Sequence, residues 1–196
     1  MTKALKIVGG LVVVLIVVYG GYRYYQSRRA QKAGLLTEDI THDGDVWKAH
    51  FTARIPAPEP TVFDAIRNIE NTHGEQVRGV RVVSQAGNKK TVEMDMGAGG
   101  QTVQLEFEYL PDDKKITYHT LNNALVDTQA DYQLGDEGSS TLIDCHQTTR
   151  LLQSLPVPDG FIKQSIRSLF VGQLEGLKKA LKINIADDTS SDEDEP

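Results

Sequence analysis

Cysteine is nearly missing from this chain: one residue in 196, Cys145. A single thiol excludes an intramolecular disulfide and a Cys-rich zinc site. Basic charge is also in short supply. Lys and Arg number 21 against 27 Asp and Glu, for a net charge of −6, and a balance of that sign argues against nucleic acid as partner. Part of the excess sits in Asp187, Asp188, Asp192, Glu193, Asp194 and Glu195, a tail (residues 184–196) with the composition of a solvated, disordered segment. No Gly-rich phosphate loop, nucleophile elbow or Cys/His pairing is present. Nothing in the composition calls for a cofactor.

What the chain does have is one long apolar run. Residues 7–22, IVGGLVVVLIVVYGGY, carry no charge and are flanked by Lys3 and Lys6 before and Arg23, Arg28, Arg29 and Lys32 after. As a helix this run spans roughly 24 Å, and snorkelling Lys6 and Arg23 extend it toward a hydrocarbon core of about 30 Å. Tyr19, Tyr22, Tyr24 and Tyr25 fall where an aromatic belt sits. Bulky Tyr and Arg occupy the positions where a cleaved signal needs small residues, so the expectation is an uncleaved single-pass anchor contacting the membrane through residues 7–25. Four positive side chains after the run, against two plus the amino terminus before it, favour a cytoplasmic C-terminal domain by a small margin.

Residues 1–33 therefore read as anchor and basic juxtamembrane segment, with helical composition over 26–33 that Gly34 ends. Residues 34–44 read as a short tether. The period then changes. Trp47, Ala49, Phe51, Ala53 and Ile55 alternate with Lys48, His50, Thr52 and Arg54, the pattern of a half-buried strand. After Pro56, Pro58 and Pro60 comes a short helix over 61–66, then a weakly signalled turn over 71–75. Six alternating strands follow over 77–85, 90–96, 102–110, 115–121, 126–134 and 140–150, each joint carrying Gly, Asp, Asn or Pro. That is an antiparallel meander with one buried face. From Gly160 onward Ile162, Ile166, Leu169, Phe170, Leu174, Leu177 and Leu181 recur at helical steps, predicting an amphipathic helix of about 24 residues with Asp159 as its N-cap.

This α+β order, and in particular the opening Phe51-Thr52-Ala53-Arg54-Ile55-Pro56-Ala57-Pro58-Glu59-Pro60-Thr61-Val62-Phe63-Asp64-Ala65-Ile66, resembles the START-related helix-grip superfamily (SRPBCC proteins, among them polyketide cyclase/dehydrase-like and lipid-transport proteins). The resemblance covers residues 45–183. It implies a curved antiparallel sheet wrapped around the long C-terminal helix, here preceded by a single transmembrane helix, with an apolar cavity between sheet and helix.

Strand parity directs Met94, Met96, Val103, Leu105, Phe107, Tyr118 and Tyr132 toward the helix face of Phe161, Leu169 and Phe170. Ser168, Gly172 and Gly176 recur every fourth residue along one helix face. Glycine inside a helix costs about 1 kcal/mol relative to alanine, so close packing against the sheet or room for a ligand must offset it. These residues are the expected ligand site, and Gly172 is taken as part of its floor. Tyr109, Tyr118 and Tyr132 supply the polar tips. Glu93, Asp95, Glu106 and Glu108 fall on the outer face, which leaves no catalytic residue to name. His42, His50, His73, His119 and His146 read as surface residues without metal-ligand spacing.

Three functions fit this reading. The first is membrane-tethered binding or transport of a lipid or other apolar small molecule. The second is a cyclase- or dehydrase-type enzyme acting on an apolar or aromatic substrate. The third is a filled grip domain that serves protein interaction.

Overall fold

The structure, a computed structural model, describes residues 26–74, 76–96, 102–153 and 157–183. Eight strands form one antiparallel sheet: β1 Leu35–Asp43, β2 Val46–Ile55, β3 Gly79–Ala86, β4 Lys89–Asp95, β5 Thr102–Leu110, β6 Lys115–Asn122, β7 Val126–Asp136 and β8 Thr141–Leu151. Their spatial order is β1-β2-β8-β7-β6-β5-β4-β3. Helices α2 (Glu59–Arg67) and α3 (Ile69–Thr72) separate β2 from β3. The long helix α4, Asp159–Ala180, closes the chain order. This is the α+β, helix-grip arrangement expected of the sequence. Among the described residues no helix is long and apolar enough to cross a membrane. The expected anchor over 7–25 and the acidic tail over 184–196 lie outside them.

Alternation decides the faces. Along β2, Trp47, Ala49, Phe51, Ala53 and Ile55 are all buried, because successive side chains of a strand point to opposite sides. Phe51 stacks on Phe170 of α4 at 4.3 Å between ring centroids, and this pair is the centre of the grip. From Phe170 an aromatic series crosses the sheet through Tyr132, Tyr118, Phe107 and Tyr109 to Phe63 of α2. Buried Lys90 on β4 donates to the carbonyl of Arg67 at 2.8 Å and pairs with Glu70 at 3.2 Å. It thereby places a cation at the C-terminal end of α2, where the helix dipole favours one.

Two expectations need correction. Residues 34–44 are no tether: Leu35–Asp43 is an edge strand paired with β2 along its length. Its only fully buried side chain is Ile40, so no alternation announces it. Asp159 is not the N-cap of α4 but its first residue, with Pro158 at the cap and the Asp159 carboxylate 3.4 Å from His42 Nε2.

The helix before β1 is as expected over residues 26–33, and we label it α1. It ends at Gly34, whose φ of +96° puts it in the left-handed region. A Cβ there would meet the carbonyl oxygen of Arg54 at 2.3 Å, so only glycine fits the turn. α1 lies on α4: Arg29 makes a two-pronged ion pair with Glu175, and buried Lys178 donates to the carbonyl of Lys32 at 2.9 Å.

Candidate ligand-binding site

Between the N-terminal half of α4 and the sheet lies a cavity of about 310 Å³. It is at the small end of the range of about 300–1,000 Å³ typical of small-molecule sites. Eight of the expected residues line it: Met94, Met96, Val103, Leu105 and Tyr118 from the sheet, and Phe161, Leu169 and Phe170 from α4. Phe161 is 63 % exposed and Leu169 37 %, so the wall they form continues to the molecular surface.

The other three are elsewhere. Phe107 and Tyr132 border a separate space of about 40 Å³, together with Ile69 and Leu174. Gly172 lines neither. The small residues at every fourth position, Ser168, Gly172 and Gly176, have a different cause from room for a ligand. A Cβ on Gly172 would meet Gln76 Oε1 at 2.6 Å, and one on Gly176 would meet the carbonyl oxygens of Thr72 and His73 at 2.4 and 2.5 Å. Gly74 faces the Gly172 backbone just as closely. Gln76 then donates to the carbonyl of Ser168 at 3.0 Å. The small residues let α3 and the chain after it sit directly on the helix backbone, so the partner is neither sheet nor ligand.

The cavity also has a polar strip that the tyrosine reading omits. On β7 and β8 the inward positions turn polar toward one end: Thr128, Gln147 and Thr149 all line the space. Thr128 and Thr149 share a hydroxyl–hydroxyl bond at 3.1 Å, and Gln147 Nε2 donates to Thr149 Oγ1 at 3.0 Å. The parity that sends Ile143 and Cys145 inward carries on to Gln147, Thr149 and Leu151, which is the signal that could have found them. From α4, Gln173 reaches into the site and accepts a hydrogen bond from Tyr132 Oη at 2.7 Å.

Burial governs the ionisation of the groups around this floor. Desolvation holds the Tyr118 and Tyr132 phenols above their ordinary range, for Tyr118 against the opposing pull of hydrogen bonds with Tyr132 and Gln173. Cys145 beneath them is pushed up to about 12, again mainly by burial. Tyr109 is raised by desolvation and then by nearby Glu70, and among the described residues its hydroxyl has no hydrogen-bond partner. Among the described residues the cavity wall holds no carboxylate, imidazole or amine, and Tyr118 is its sole titratable side chain apart from unionised alcohols.

A sheet of this order gripping a C-terminal helix over a cavity is the helix-grip fold. Solved structures agree at the level of the fold. The chain superposes on the Zhui aromatase/cyclase from Streptomyces sp. R1128 with a TM-score of 0.52 at 12 % identity, covering 68 % of this chain and 95 % of that one. For a START superfamily protein from Mycobacterium smegmatis the TM-score is 0.51 at 18 % identity, covering 69 % and 94 %. For the di-domain aromatase/cyclase StfQ of the steffimycin biosynthetic pathway it is 0.58 at 12 % identity, covering 70 % of this chain and 51 % of that one. No family model and no curated protein matches the sequence.

Proposed function

We propose that this protein is a membrane-tethered binding protein that holds a single-chain lipid or a comparably small apolar molecule between its sheet and α4. The observation that carries the reading is the 310 Å³ cavity, walled by methionine, aliphatic and aromatic side chains and reaching the surface at Phe161. Apolar burial at about 25 cal/mol per Å² supplies the affinity. Met94 and Met96 supply an adaptable wall. The Thr128–Thr149–Gln147 strip and Gln173 supply an orienting contact for one polar group on the ligand. A volume this small suits one chain or ring system better than a two-chain lipid.

The uncharged run over 7–22 supports the tether, since an anchored cavity stays at high effective concentration beside a bilayer reservoir. The cyclase-like neighbours raise the enzymatic alternative. General acid–base chemistry needs a group that exchanges protons near neutral pH, and the described wall offers only a phenol that burial keeps protonated.

The test is native mass spectrometry of the full chain in detergent, purified from a lipid-containing host, beside Val103→Trp and Ile162→Trp, which fill the cavity from opposite walls. A stoichiometric apolar adduct on the parent and its loss from both folded variants is the expected result. An adduct retained by both would place the ligand elsewhere.

A further inference from the structure

The outer face of the sheet, away from the cavity, carries a side-chain cluster that ligand binding does not use. His50 on β2 and His146 on β8 are direct cross-strand partners. Asp144, two residues before His146 and so on the same face, reaches both. Its Oδ1 is 2.7 Å from His50 Nε2 and 3.5 Å from His146 Nε2. The two imidazoles lie parallel, 4.2 Å between centroids and 7° between planes. Taking one donor atom from each residue, all three atoms lie within 4.8 Å of one another. A tetrahedral ion with bonds of about 2.0–2.1 Å spaces its ligands about 3.4 Å apart, so side-chain rotations of about an ångström would seat one.

The surroundings have the sign a cation requires. Asp39 on β1 is the cross-strand partner of His50, and Asp131 on β7 is that of His146. One row across four strands thus reads Asp, His, His, Asp, with Asp144 beside its centre. Lys115, the cation near this row on the β6 side, is held by Asp131 at 3.3 Å. Lys48, on the same face of β2 two residues from His50, is exposed. A surface ion pair accounts for His50 and Asp144 alone. It gives no reason for a second imidazole stacked on the first with its Nε2 turned to the same carboxylate oxygen.

We propose that His50, Asp144 and His146 form a binding site for a divalent first-row transition ion of the zinc type. Two imidazole nitrogens and one carboxylate oxygen hold the ion, and its remaining positions face water. This donor set selects zinc, cobalt, nickel or copper over magnesium and calcium, which require oxygen ligands. Two hydrogen-bonded strands fix the three side chains, so little ordering is needed on binding.

The deciding experiment titrates Co²⁺ into the full chain in detergent, reads its visible absorption bands, and then competes it with Zn²⁺. One saturable equivalent, displaced by Zn²⁺ and weakened at least about tenfold in His50→Asn and in His146→Asn, is the expected result. His42→Asn and His73→Asn, whose rings lie outside the trio, should bind as the parent does. Absence of saturable binding, or binding that survives both His50→Asn and His146→Asn, would overturn the assignment, the second outcome moving the ion to other carboxylates of the chain.

Discussion

The two halves of α4 have the same apolar periodicity and opposite jobs. Its C-terminal half is clamped. Phe170 stacks on Phe51, and Gly172 and Gly176 admit Thr72, His73, Gly74 and Gln76 to close contact with the helix. Lys178 is buried against the carbonyl of Lys32. Its N-terminal half stands off the sheet, leaving Ile162, Leu169 and the exposed Phe161 around open space. Small residues mark where the helix is shut, and bulky apolar residues that remain exposed mark where it is open. A helical wheel registers both as one hydrophobic stripe.

Raising the pH should attack the closed half hardest. The Cys145 thiol, 9 when free and about 12 when folded, and the Tyr132 phenol are protonated in the folded chain and ionise earlier in the unfolded one. The contribution of Cys145 is complete below pH 9 and disappears as pH rises toward 12, and that of Tyr132 is lost in the same direction above the ordinary phenol range. Cys145 alone accounts for about 4 kcal/mol at the upper end. Urea denaturation at stepped pH should show a midpoint that is flat to pH 9 and then falls, with the fall reduced in Cys145→Ala. A midpoint still flat at pH 11 would contradict the burial of these groups.

Phe170→Ala removes the stacked partner of Phe51 and should cost about 3–5 kcal/mol in the same assay. Gly176→Ala should cost about 2 kcal/mol. The gain of about 1 kcal/mol in helix propensity is outweighed by a Cβ placed 2.4 Å from the Thr72 carbonyl oxygen, a backbone atom with little freedom to move. The identical change at the open end should reverse sign. Gly160 has nothing within 4 Å of its would-be Cβ, so Gly160→Ala should stabilise by about 0.5–1 kcal/mol. Matching signs for the two glycines would erase the distinction between the halves.

Much of this was legible beforehand, and the gaps have physical reasons. Strands β2 and β4 through β8 were visible because one face of each is buried, which forces alternation, and β3, expected over 77–85, was marked out by the turn residues after it. Strand β1 was not, since an edge strand whose exposed residues run from Leu36 to Asp39 before a lone buried Ile40 has no period to read. Most of the cavity wall followed from parity. Gly172 did not, because its partner is a four-residue helix and the chain after it, too short to signal their position. His50 and His146 were each assigned to the outer face, yet their meeting depends on register between strands 96 residues apart in number, and periodicity within a strand carries no register between strands.

The seating of α1 has a mechanical consequence. Its last turns run beside α4 from Glu175 to Lys178, in the same direction as that helix, and α4 is also the roof over the cavity. A pull applied at residue 26 would meet the Arg29–Glu175 link and the Lys178 contact before it reached the β1–β2 ladder. The helix that takes these contacts in its C-terminal half is the one whose N-terminal half covers the cavity, so α1 and the cavity share one rigid element.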